Sequence, residues 1–87
     1  MERSEVYTLI DGERAYQDQK WNPSTTTSHG EHSWEEWYTY MVDYIQEAQH
    51  LLSRLPQQEG NLKAAAIMRK VTAMGVAAME QNGAPAR

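Results

Sequence analysis

Residues 33–56 constrain the fold of this chain most strongly. Ser33 is followed at the third position by Glu36, then by apolar residues every three or four positions, and then by Pro56. Ser-x-x-Glu is a capping box, in which the hydroxyl and the carboxylate each satisfy an amide that the first helical turn leaves open. From that point Trp34, Trp37, Tyr38, Met41, Tyr44, Ile45, Ala48, Leu51, Leu52 and Leu55 keep the α-helical period. The pattern predicts one helix over 33–55 with a continuous buried stripe. Pro56 cannot extend it, and Gln57 to Gly60 read as a short polar connection, so the next helix turns back antiparallel.

Asn61 is a suitable N-cap for that next helix. Leu62, Ala65, Met68, Val71, Thr72, Gly75, Val76 and Met79 form its stripe, whose small residues allow close helix approach. Asn82-Gly83 followed by Pro85 stops it, which predicts a helix over 61–82 and a loose tail at 84–87. Upstream, Val6, Leu9, Ile10, Glu13 and Gln17 share one face of a helix predicted over 4–20, despite Gly12, with Tyr16 and Trp21 flanking it. Residues 22–32 are polar, contain Pro23 and Gly30, and have no period, so a long loop is expected there, either disordered or functional. The expectation is a single all-α domain over 1–87.

Size and composition narrow the function classes. A chain of 87 residues buries only roughly 60–65 % of its unfolded surface on folding, so its core is marginal. It has no cysteine to form a staple, which makes a homo-oligomer a natural source of stability and fits a reducing cytoplasm. No apolar run approaches the ~18 residues of a membrane span, and no signal peptide is visible. A net charge of −4 argues against nonspecific nucleic-acid binding, which needs clustered cations. There is no Phe but three Trp and five Tyr, side chains suited to half-wet interfaces and ligand pockets as well as to ordinary core edges.

Several residues are candidates for chemistry. His29 and His32 have the spacing of metal ligands, although loop histidines are more often simply solvated. Asp43 and Glu47 lie four apart on one helix face, with Glu36 on nearly the same side, and such oxygen ligands suit Mg²⁺; solvated helix surface is the plainer reading. Arg14, Lys20, Arg69 and Lys70 supply cations. Arg69 borders the apolar stripe, where it suits a phosphate or an ion pair with Asp43 or Glu47. No serine has the context of an activated nucleophile.

Glu13-Arg14-x-x-Gln17-Asp18-x-Lys20-Trp21, a polar loop, a helix ending in Ile45-x-Glu47-Ala48 and a third helix rich in Ala and Val resemble small phage and actinobacterial MazG-like proteins. Arg69-Lys70-Val71 and the closing Glu80 to Pro85 are also similar to a group of small phage proteins. The resemblance implies an oligomeric three-helix unit and Mg²⁺-dependent cleavage of nucleoside triphosphates by a Glu-Glu-x-x-Glu motif and a Glu-x-x-Asp motif. The matching stretch here is Asp43-Tyr44-Ile45-Gln46-Glu47, with Tyr44 in place of a carboxylate, and the next helix offers Arg69 and Lys70 where acids belong. Phosphoryl chemistry needs its cation fixed by several carboxylates. The expectation is therefore a protein that binds a nucleotide or cyclic nucleotide without cleaving it. By analogy with phage nucleotide sponges, it would act in the host cytoplasm against a defence signal. Arg14, Lys20, Arg69 and Lys70 are then expected to hold phosphates, Trp21, Trp34 and Tyr38 the base, and His32 to add a polar contact, with no cofactor. The alternatives are an active pyrophosphohydrolase using Mg²⁺ on Asp43 and Glu47, and a helical protein–protein interaction module.

Overall fold

A computed structural model describes residues 1–21 and 30–87. The described residues form three α-helices and no strand: α1 (Arg3–Lys20), α2 (Trp34–Arg54) and α3 (Gln57–Asn82). Most of the polar stretch expected as a loop, including His29, lies outside the described residues. Among the described residues no helix is long and apolar enough to cross a membrane.

The caps explain where the helices begin and end. Ser33 Oγ accepts from the Glu36 amide at 3.2 Å, and the Ser33 amide donates to Glu36 Oε1 at 3.0 Å, so the capping box opens α2 where its sequence predicts. The Ser33 amide and the Ser33 hydroxyl, which donates to Glu36 Oε1 at 3.2 Å, hold the Glu36 carboxyl below the usual carboxylate range. At α1 the Glu2 amide donates to Glu5 Oε1 at 3.0 Å. Gly83 closes α3 with a φ of +81°, a conformation open to glycine, and its amide donates to Met79 O at 2.7 Å.

The start of α3 differs from the sequence expectation. Gln57 to Gly60 are helical rather than a connection, and only Leu55 and Pro56 separate the two helices. Proline ends one helix and opens the next because the first helical turn leaves its amides without partners. Gly60 makes this tight reversal fit. It is buried, and a Cβ on it would stand 3.3 Å from Leu51 O and 3.5 Å from Leu52 Cα.

The central helix is α3, which packs against both α1 and α2, while those two make no backbone contact with each other. Ala73, Ala77 and Ala78, all buried, let both neighbours approach. The main cluster joins Trp37, Met74, Ala77 and Ala78, with Trp21, Met41 and Tyr44 against it. Ile10 and Gln17 are the buried residues of α1. The stripe of α2 is not continuously buried: Trp37 is, but Trp34, Tyr38, Ile45 and Leu52 remain exposed. A helix with one neighbour buries a narrow seam, and this stripe is wider than the seam.

Candidate functional site

Two concavities flank the contact between α1 and α3. The first is a groove of about 580 Å³ formed by one face of α1 and the middle of α3. Lys20, Arg69 and Lys70 line it together with the aromatic rings of Tyr16 and Trp21, and Glu13 is its sole carboxylate among the described residues. The groove thus gathers four of the residues that the sequence selects for ligand contact, two of them about fifty positions from the others. Arg69 Nε donates to Glu13 Oε1 at 2.7 Å, not to Asp43 or Glu47 as the sequence reading allowed, because Arg69 faces α1 rather than α2. Lys70 Nζ lies 4.5 Å from the Tyr44 ring centroid and Lys20 Nζ lies 5.9 Å from that of Tyr16, both in reach of a cation–π interaction.

The second is a cavity of about 660 Å³ between the end of α1, the first half of α2 and the last turns of α3. Trp21, His32, Trp37, Tyr40 and Tyr44 form its aromatic walls. Its ionic groups are Arg14 against Asp18, Glu31, Asp43 and Glu80. Arg14 and His32, expected beside the other site residues, line this cavity instead of the groove. Arg14 is also committed to carboxylates: Nε and Nη2 donate to the two Glu80 oxygens at 3.0 Å each, and Nη1 donates to Asp18 at 2.6 Å. Burial opposes the Arg14 charge, but the hydrogen bonds it donates to Glu80 and Asp18 and their negative charges outweigh it and raise its pKa. This fork clips α1 to the end of α3 and leaves Arg14 poorly placed to hold a phosphate.

Trp34 and Tyr38 line neither concavity. Their rings meet each other on the outer face of α2, with centroids 6.1 Å apart, and Tyr38 is 63 % exposed. Asp43 faces the second cavity and Glu47 neither. Among the described residues no three His, Asp or Glu are grouped so as to hold a metal ion.

Two glutamines organise this region, and the sequence reading assigned neither a site role. Gln81 Oε1 accepts from Trp37 Nε1 and from the His32 amide, both at 2.9 Å, while its Nε2 donates to Gly30 O at 3.2 Å. One side chain on α3 therefore fixes both the entry to α2 and the central indole. Gln17 is 2 % exposed and lines both concavities. Its Nε2 donates to Lys70 O at 3.1 Å, but its Oε1 has no partner. A signal for Gln17 existed, since it shares a face with Ile10. Gln81 carries no such signal, being one polar residue among several at a helix end. Compared with known proteins, the chain matches no family model, and neither a curated protein nor a solved structure shows significant similarity to it.

Proposed function

We propose that this protein binds a nucleotide or cyclic nucleotide without cleaving it, acting as a homo-oligomeric sponge built from MazG-like helical units. The groove between α1 and α3 carries this reading. In a chain of net charge −4 it assembles Lys20, Arg69 and Lys70 beside Tyr16 and Trp21, with one carboxylate. Cations suit phosphate oxygens, and ring faces suit a base. Neither acidic motif expected of a MazG enzyme is complete in the sequence, which favours retention over turnover. The phage setting and the signal-sequestering role rest on resemblance and analogy.

Self-association is supported by the surface. Val42, Ile45 and Leu52 on α2 and Leu62 and Met68 on α3 are among the exposed apolar side chains. A second copy covering them would supply the core that one chain lacks.

The test is to incubate the protein with Mg²⁺ and a panel of linear and cyclic nucleotides, filter it, then heat it and chromatograph what it releases. One intact nucleotide is expected from the heated protein. Replacing Arg69 and Lys70 together by alanine should lower its affinity by at least about 100-fold, the loss of two charge-assisted contacts, and because Arg69 also pairs with Glu13, Lys70→Ala alone, which breaks no ion pair, should lower it at least about 10-fold with helix content and oligomer size unchanged. Monophosphate and pyrophosphate in the filtrate would instead establish turnover and return Asp43 and Glu47 to the role of Mg²⁺ ligands. No retained nucleotide would leave the exposed faces as a protein-interaction surface only.

A further inference from the structure

The second cavity has the opposite character to the groove. Four carboxylates face one guanidinium, and that guanidinium is already shared between Glu80 and Asp18. Asp43 and Glu31 have no ion-pair partner among the described residues. The walls are aromatic, from Trp37, Tyr40 and Tyr44, and π faces beside carboxylates favour organic cations. A phosphate would meet like charge here.

The Gln17 amide adds an independent observation. It is 2 % exposed, lines this cavity, and leaves Oε1 with no hydrogen-bond partner. Its orientation is fixed, because the other end of the amide donates to Lys70 O at 3.1 Å. A buried carbonyl oxygen without a donor is costly, and native proteins retain few of them. A ligand carrying N–H groups satisfies it. Gln17 also borders the groove, but the cations there repel an ammonium, so charge selects the acidic side.

We infer that this cavity binds a protonated primary amine on an alkyl chain, such as a linear diamine or polyamine. The ammonium sits between Asp43 and the aromatic walls and donates to Gln17 Oε1, and the methylene chain lies against the rings. A second ammonium on the same chain pairs with Glu31. Lys70 Nζ already lies over one face of the Tyr44 ring, 4.5 Å from its centroid, so the ammonium uses the rings of Trp37 and Tyr40, and the Arg14 fork is shared between Glu80 and Asp18. The site is separate from the proposed nucleotide groove, and either assignment stands without the other.

The experiment titrates the full chain with 1,4-diaminobutane and, separately, with tetramethylammonium, at constant ionic strength set by NaCl. Binding is followed by calorimetry and by the side-chain amide resonances of Gln17. Saturable binding of one diamine per chain is expected, at least tenfold tighter than tetramethylammonium, which has no N–H to offer. Asp43→Asn, a change at an exposed position, should weaken the diamine at least tenfold, and Gln17→Met should remove the preference over tetramethylammonium. Equal affinity for the two cations, an unchanged constant in Asp43→Asn, or no saturable binding overturns the proposal. Should Gln17→Met fail to fold, the comparison of the two cations and Asp43→Asn still decide it.

Discussion

Replacing Gln81 by alanine tests whether one amide holds the candidate site together. The substitution removes three hydrogen bonds at once: those from Trp37 Nε1 and the His32 amide, and the one to Gly30 O. They are not equal in value. Trp37 is 5 % exposed, so its indole N–H loses its partner with little access to water, and an unsatisfied buried donor costs about 1–3 kcal/mol. Water can replace much of the other two, which leaves about 0.5 kcal/mol each at the low end of the usual range. The expected loss is about 2–4 kcal/mol, and at about 4–8 °C per kcal/mol for a domain of this size Tm should fall by roughly 8–32 °C. Two variants isolate the cause. In a Trp37→Phe background, which has no indole donor to strip, Gln81→Ala should cost only about 1 kcal/mol. Asn82→Ala removes bonds to His32 O and Ala78 O, both 3.1 Å, and leaves no buried donor stripped, so it should also lose no more than about 1 kcal/mol. The assay is thermal unfolding followed by circular dichroism at one fixed protein concentration, since self-association makes Tm concentration-dependent. Exchange of the Trp37 indole proton by NMR accompanies it. Equal losses in Gln81→Ala and Asn82→Ala, or an indole proton that exchanges no faster without Gln81, would refute the reasoning.

Two glycine substitutions should act in opposite directions. Gly12→Ala places its Cβ in open space on α1 and should gain about 1 kcal/mol of helix propensity, whereas Gly60→Ala drives its Cβ to 3.3 Å from a backbone oxygen, and overpacking of about 1–3 kcal/mol should cancel or exceed that gain. Paired thermal melts read the difference, and an equal gain at both positions would mean that the 55–56 turn relaxes freely. Acid should loosen the start of α2. The Glu36 pKa is depressed in the folded state, mainly by hydrogen bonds to Ser33, so its contribution is complete above the ordinary carboxylate range near about 4.3 and is lost as pH falls through the lower folded value. The difference in Tm between the parent and Ser33→Ala should therefore shrink between pH 6 and pH 3 (roughly the window set by that depressed value); a constant difference would mean that the box contributes through the hydroxyl alone.

The sequence made α2 legible because its start is a side-chain motif and its end a proline, both local signals. The start of α3 was not, since Gln57 to Gly60 look like a turn to any rule that weighs Gly and polar residues, while the fact that decides the matter is the nearness of Leu51, a tertiary contact. The stripe of α2 is broader than its buried seam because periodicity reports which face is apolar and not how many neighbours cover it. Trp34 and Tyr38 suit a base by residue type, but they fall on the uncovered part of that face.

The separation of Arg14 from Lys20 follows from helix geometry. At about 100° per residue, Ile10 and Gln17 mark the face of α1 turned toward α3. Leu9, Glu13, Tyr16 and Lys20 lie to one side of that line, and these are residues of the groove; Arg14, Asp18 and Trp21 lie to the other, toward the cavity. Glu13 and Arg14 are neighbours in sequence, yet they face different concavities and meet different elements of α3: Glu13 meets Arg69, and Arg14 meets Glu80. Arg69 and Glu80 are eleven residues apart on α3, about three turns, so each flank of α1 is pinned by an ion pair of opposite polarity at a different height. The basic groove and the acidic cavity are two flanks of one contact. Gln17 and Trp21 line both, so an electrostatic change at either flank is felt across one layer of side chains.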